Sequence, residues 1–249
     1  MITVGDIYDI MDQLAPFETQ EEWDNSGLLI GSREDEATDV LVTLDATARA
    51  IDRAKELGCQ LIISHHPLIF SPLRKIPRSS NVYRLIESGI DLISSHTPLD
   101  KAPGGVSDCL ADALGLRKRK PAEGLDFVYT GVLPKPLSAK QLAQQVSEAI
   151  QGSGRGPVTV DGGREITKVA VIGGAGSDIA AALLDSDCDA IVTGELKHHI
   201  MIAAQEKGKT LIEAGHYETE AAALYPLSLH LKEKLPELLI HTFIDPIAF

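Results

Sequence analysis

Short apolar runs alternating with helix-forming segments constrain this chain more than any other feature of it. From Val40 onward, VLVTL (40–44), LIIS (61–64) and IDLIS (90–94) are separated by helix-like stretches over Ala46–Leu57 and Asn81–Glu87. Strands this uniformly apolar belong in a sheet covered on both faces, and their alternation with helices implies βαβ units. The second half repeats the theme. DFVYTGVL (126–133) reads as a strand, and Ser138 with Gln141 forms a capping-box pattern opening the helix SAKQLAQQVSEAI. QGSGRGP (151–157) reads as a loop, followed by further strand–helix alternation to residue 220. Ahead of the first unit, Ile7, Ile10, Met11 and Leu14 mark an amphipathic helix that starts at TVGD and stops at Pro16. WDNSGLLIG (23–31) then reads as a polar turn entering a strand.

The halves also match each other. Val40–Ser64 aligns without a gap on Val169–Thr193 at an offset of 129, with identities at Val40/Val169, Val42/Val171, Ala46/Ala175, Cys59/Cys188 and Ile62/Ile191. One inserted residue further on, IDLISSHTPLD matches KTLIEAGHYETE, which sets His96 against His216 and Asp100 against Glu220. The expected fold class is therefore α/β. Two similar α/β lobes, 1–124 and 125–249, would arise by internal duplication and interdigitate, each a largely parallel or mixed sheet flanked by helices.

Charge and cysteine usage narrow the function. With 23 basic and 36 acidic residues the net charge is −13, which gives no bulk attraction to nucleic acid or anionic membranes. The run RKRK (117–120) reads as a solvated loop before Pro121. Cys59, Cys109 and Cys188 are too few and too dispersed for a disulfide framework or a thiolate zinc site. No signal-peptide pattern and no membrane-spanning run stands out, so the reading is a cytoplasmic, reduced protein.

Chemistry-bearing residues gather just beyond the apolar runs: His65 and His66, then His96 with Asp100, then His216 with Glu220. Loops after the carboxyl ends of parallel strands are where sites form. Pro67 ends the first strand, so adjacent histidines there lie in a loop and need not face opposite ways. Imidazole with carboxylate is a ligand set for zinc, iron or manganese. Each group also has a plainer reading: a surface histidine pair, a local turn, a solvated helix start. GGAGSD (173–178) could cradle phosphate or could be a tight strand-to-helix turn capped by Ser177 or Asp178. Glu195, His198 and His199, in the place that HHP holds in the first lobe, could line a cavity or open a helix.

WDNSGL, SHHPLIF, SHTPLD, VIGGAGS, TGELKHH and GHYETE, in this order and spacing, resemble the GTP cyclohydrolase 1 type 2 homologue family, also called Nif-like dinuclear metal-centre proteins. The resemblance runs from Trp23 to the closing LLIHTFI. It implies two α/β lobes and a ring-shaped homohexamer. It also implies two divalent transition-metal ions per chain, held by His65, His66, Asp100, His216 and Glu220, with Asp100 or Glu220 as a bridge. His96 would stand beside them as the catalytic, proton-carrying residue. The family name implies opening of the guanine imidazole ring of GTP. More broadly, the implied activity is metal-dependent hydrolysis of a nucleotide or another phosphorylated small molecule, with Arg74, Lys75 or the Gly173–Ser177 turn as candidate phosphate contacts. The alternative is a non-catalytic metal chaperone or regulatory scaffold.

Overall fold

A computed structural model describes residues 1–150 and 156–245; the first five residues of the expected loop at QGSGRGP, 151–155, lie outside that description. The described residues carry strands β1 (Gly27–Ile30), β2 (Asp39–Thr43), β3 (Leu61–Ser64), β4 (Asp91–Ser94), β5 (Arg117–Ala122), β6 (Leu125–Leu137), β7 (Val158–Val160), β8 (Ile166–Ile172), β9 (Ala190–Thr193), β10 (Thr210–Glu213) and β11 (Leu239–Phe243). They fall into two compact units. One comprises Met1–Pro103 with Leu224–Asp245, the other Gly104–Ala223. The boundary after Pro103, and the return of the last helix and strand to the first unit, differ from the split at 124/125 read from the sequence.

The first unit is a five-stranded sheet in the order β1-β4-β3-β2-β11. β4, β3, β2 and β11 run parallel, and β1 is antiparallel to β4. The second unit holds six strands ordered β5-β6-β8-β9-β10-β7, with β8, β9 and β10 parallel and the others antiparallel. The α/β class and mixed sheets expected from the sequence are thus present.

Local chemistry explains where the elements start and stop. Thr3 and Asp6 close a capping box on the helix Val4–Leu14, and Ser138 and Gln141 close another on Ala139–Ala149. Thr47 caps Ala48–Leu57 and Ser80 caps Asn81–Ser88, and both helices end on a left-handed glycine, Gly58 and Gly89. These two helices pack on the first sheet through Ile51, Ala54 and Leu85 against Leu41, Ile62 and Leu92. In the second unit successive residues of β8 alternate between two cores: Val169 and Val171 join one, Ala170 and Ile172 the other. That alternation is the signature of a strand covered on both faces. Truncating one of these buried aliphatic side chains to alanine costs about 2–5 kcal/mol.

The duplication is visible in the hydrogen-bond register. Val40 pairs with Leu61 and Thr43 with Ser64; Val169 pairs with Ala190 and Ile172 with Thr193. Both ladders coincide residue for residue at the offset of 129 seen in the sequence. The next strand departs from that offset: Leu61 pairs with Asp91, and Ala190 with Thr210. His96 follows Ser94 by two residues and His216 follows Glu213 by three, which locates the single insertion after the strand.

One expectation needs correction. RKRK is not a loop but the exposed edge strand β5, which includes Pro121 and pairs with β6. An edge is where a sheet tolerates a proline, and consecutive charges there discourage pairing with another chain. Loops and charged edge strands look alike in a single sequence.

Candidate metal centre

In the first unit β3 ends at Ser64, so the His65–His66 pair lies beyond the strand, as Pro67 suggests. The backbone there is pinned: His65 and His66 donate their N–H groups to Thr43 and Leu44, and Ser64 Oγ donates to the His66 carbonyl at 2.8 Å. His96 is the residue preceding the short helix Thr97–Lys101, which carries Asp100 one turn on. These elements bring three imidazoles together. His65, His66 and His96 offer ligand atoms that all lie within 4.8 Å of one another. Their ring centroids are 5.0 to 5.5 Å apart. Asp100 Oδ1 stands 3.5 Å from His65 Nε2, both side chains being largely buried.

Each imidazole is oriented through its Nδ1. His65 Nδ1 is 2.9 Å from the Ser95 carbonyl, His66 Nδ1 is 2.9 Å from Asp45 Oδ1, and His96 Nδ1 is 2.9 Å from Asp24 Oδ1. An oxygen at Nδ1 fixes the tautomer with the lone pair on Nε2, the arrangement that metal-binding histidines use. The donor set and its orientation therefore fit a divalent transition metal. Asp24 also accepts from Thr97 N, Thr97 Oγ1, Ser26 Oγ and Asn25 N. Burial opposes its ionisation, but the hydrogen bonds from His96 and Thr97 outweigh that and hold its carboxyl well below the usual range.

In the second unit His216 opens the helix His216–Ala221, and its Nε2 lies 3.1 Å from Glu220 Oε1, one turn on. His216 Nδ1 lies 3.2 Å from Glu195 Oε1. Glu220 is buried beneath Gly174, where an added Cβ would fall on its Oε1. The GGAGSD turn is thus a wall against Glu220 and His216. Neither Ser177 nor Asp178 caps the following helix: Gly176 occupies the capping position, and Ser177 Oγ instead donates to the Glu195 carbonyl and accepts from Lys197 N. His198 and His199 are exposed at the start of the helix His198–Lys207, where the plainer reading put them.

Of the histidine and carboxylate positions named from the sequence, His65, His66, His96 and Asp100 gather in the first unit, His216 lies against Glu220 and Glu195 in the second, and His198 and His199 stay exposed at a helix start. Sequence reading passed over Asp24 and Asp45. Asp45 could have been found, since it follows directly on β2 at the carboxyl end of a parallel strand. At the offset of 129, Asp45 corresponds to Gly174 and His66 to Glu195, so the duplicated units carry different groups at equivalent positions.

Two α/β units of duplicated topology, carrying imidazole and carboxylate groups at strand ends, define a class of candidate metal proteins. The chain belongs to the Duf34/NIF3 (NGG1p interacting factor 3) family, whose model matches residues 2–247. A Clostridium perfringens protein named GTP cyclohydrolase 1 type 2 homolog is 30% identical over 242 residues, covering 93% of this chain and 92% of its own. Helicobacter pylori GTP cyclohydrolase 1 type 2 is 34% identical over 234 residues, 88% of each chain. Among solved structures, Staphylococcus aureus hypothetical protein SA1388 superposes with a TM-score of 0.89 at 26% identity, over 100% of this chain and 99% of its own. Reduced HcgD from Methanocaldococcus jannaschii gives a TM-score of 0.83 at 28% identity over 98% of each chain.

Proposed function

We propose that this protein is a metal-dependent hydrolase acting on a nucleotide or another phosphorylated small molecule. The observation that carries the reading is the trio His65, His66 and His96, each with Nδ1 set against an oxygen. Such second partners are built where an imidazole must present Nε2 in a fixed direction. Relatives named GTP cyclohydrolase 1 type 2 or its homolog support the substrate class. We assign His65, His66, Asp100, His216 and Glu220 as ligands for two divalent ions, zinc, iron or manganese, in a ring-shaped homohexamer.

Bound ions of this kind would polarise a substrate oxygen and lower the pKa of a water molecule. The chain's own residues supply the rest. His65 and His66 are anchored so that their donor atoms need no rearrangement to bind. His96, with Asp24 accepting at Nδ1–H, takes a proton at Nε2 while the buried carboxylate stabilises the resulting cation. Asp24 is thus a positioning residue for His96. A metal-carrier reading has one observation in its favour: the His216 side chain is 34% exposed, open to ligand exchange.

Elemental analysis of protein purified without chelator or affinity tag tests the assignment. About two ions per chain are expected, with less in His66→Ala and in Glu220→Ala. Unchanged metal content in both variants removes the ligand assignment. Metal-loaded protein that turns over no phosphorylated nucleotide leaves the carrier reading in place of the hydrolase.

A further inference from the structure

The first unit exposes an aromatic pair beside its imidazole trio. Trp23 is 57% exposed and Phe70 46% exposed. Their rings are parallel to within 6°, with centroids 6.0 Å apart. Both rings meet the His96 imidazole edge-on, each at 5.7 Å between centroids. A large aromatic held outward forgoes a burial energy that most tryptophans realise. Loose packing does not explain it, because the loop that carries Trp23 is fastened on several sides. Asp24 is held as described above, Glu21 N donates to Thr97 Oγ1 at 3.0 Å, and Ser26 N donates to Gln20 Oε1 at 2.8 Å. Asn25 Nδ2 donates to the Ile69 carbonyl at 2.6 Å, tying this loop to the one that carries Phe70. The stack is therefore built before anything binds to it.

Trp23 is flanked by Glu21, Glu22 and Asp24, but the loop that carries Phe70 has the opposite charge balance. Between Leu57 and Ile86 the sequence holds no aspartate or glutamate, although the protein's net charge is −13. The loop that continues from Phe70 presents Arg74, Lys75 and Arg78, all exposed. An aromatic face at the histidine cluster and a patch of cations a few residues along the same loop are complementary to a planar ring bearing an anionic group.

We propose that Trp23 and Phe70 form a stacking shelf for the heteroaromatic ring of the substrate, with Arg74, Lys75 and Arg78 receiving its phosphate. The proposal rests on the hydrolase reading for the identity of the occupant as substrate. Stacking is tolerant of ring identity and selects against phosphorylated compounds that lack a ring. The contact with His96 places the reacting part of such a ligand beside the residue assigned to move a proton.

Trp23 is the only tryptophan in the chain, so its fluorescence reports the shelf directly. Full-length protein is titrated with GTP and, separately, with inorganic tripolyphosphate. Saturable quenching by GTP and none by tripolyphosphate is the expected result. Phe70→Ala should weaken GTP binding about ten-fold, the scale of one lost aromatic stack. Arg74→Ala with Lys75→Ala should weaken it and flatten its salt dependence. Absence of saturable quenching at millimolar GTP, or equal quenching by tripolyphosphate, overturns the shelf. So does emission that shifts with protein dilution instead of with GTP, since a second copy of the chain would then be the occupant. Metal content measured on the same samples separates the two readings. Protein that loads metal but does not stack GTP retains the centre and loses the shelf; protein that stacks GTP without ever holding metal keeps the shelf and loses the hydrolase.

Discussion

Asp24 Oδ1 lies 2.9 Å from His96 Nδ1, and the Asp24 side chain has no exposure to solvent at all. A buried carboxylate in a protein persists only when it is fully hydrogen-bonded, and Asp24 meets that condition with five donors drawn from residues 25, 26, 96 and 97. It thereby joins the turn before β1 to the residues after β4. Asp24→Asn keeps the shape but removes the charge and replaces one accepting oxygen by an NH2 group, which leaves the donors on that side without an acceptor. We expect the unfolding free energy to fall by about 2 kcal/mol, read from urea denaturation. A denaturation midpoint equal to that of the unmodified protein would show that the network contributes nothing to stability.

Metal removal should act on stability as well as on chemistry. A ligand that binds only the folded chain stabilises it in proportion to the logarithm of one plus its free concentration over its dissociation constant, about 3–4 kcal/mol when present at a hundred to a thousand times that constant. Chelator-treated protein should therefore melt several degrees lower than metal-loaded protein, and His66→Ala should shrink the difference. Identical melting of stripped and reloaded samples would contradict specific binding.

How much of this was legible beforehand depends on range. The β2–helix–β3 unit was readable because apolar runs and their separators are local, and its copy at offset 129 reappears in the register of β8 with β9. The histidines were readable because strand-end positions are local too. Asp24 was not: its partners are more than 70 residues away at His96 and Thr97, and nothing in DNS distinguishes an anchoring carboxylate from a turn residue. The return of Leu224–Asp245 to the first unit was hidden for the same reason, since β11 pairs with β2 across almost the whole chain.

Asp91, at the start of β4, offers a pH test remote from the histidines. Burial, followed by the neighbouring Asp35 carboxylate, pushes its pKa up from 3.8 to about 6. Gly31 approaches so closely that an added Cβ would overlap the Asp91 carboxyl. A carboxyl that holds its proton more tightly when folded makes folding less favourable as pH rises, because the unfolded chain releases that proton first. The cost is absent below about pH 4, grows across the interval and is complete above about pH 6, reaching on the order of 2–3 kcal/mol. Asp91→Asn should flatten this part of the stability profile and be the more stable form at neutral pH. Parallel profiles for the two proteins between pH 4 and pH 7 would argue against a raised Asp91.

Gly174 and Gly58 separate backbone strain from a local clash. Both have left-handed backbones, with φ of +63° and +73° respectively. A Cβ on Gly58 meets nothing within 4 Å, whereas one on Gly174 falls on Glu220 Oε1 and lies 3.3 Å from His216 Nε2. Gly58→Ala should therefore cost only the left-handed penalty, about 1–2 kcal/mol. Gly174→Ala should cost more than that and also displace the Glu220 carboxylate from His216. If Glu220 is a ligand, metal content falls in Gly174→Ala, whose added Cβ crowds the Glu220 carboxylate, and is retained in Gly58→Ala, whose Cβ meets nothing. Equal metal content in the two variants, with Gly174→Ala the less stable, would assign Glu220 a role in packing alone.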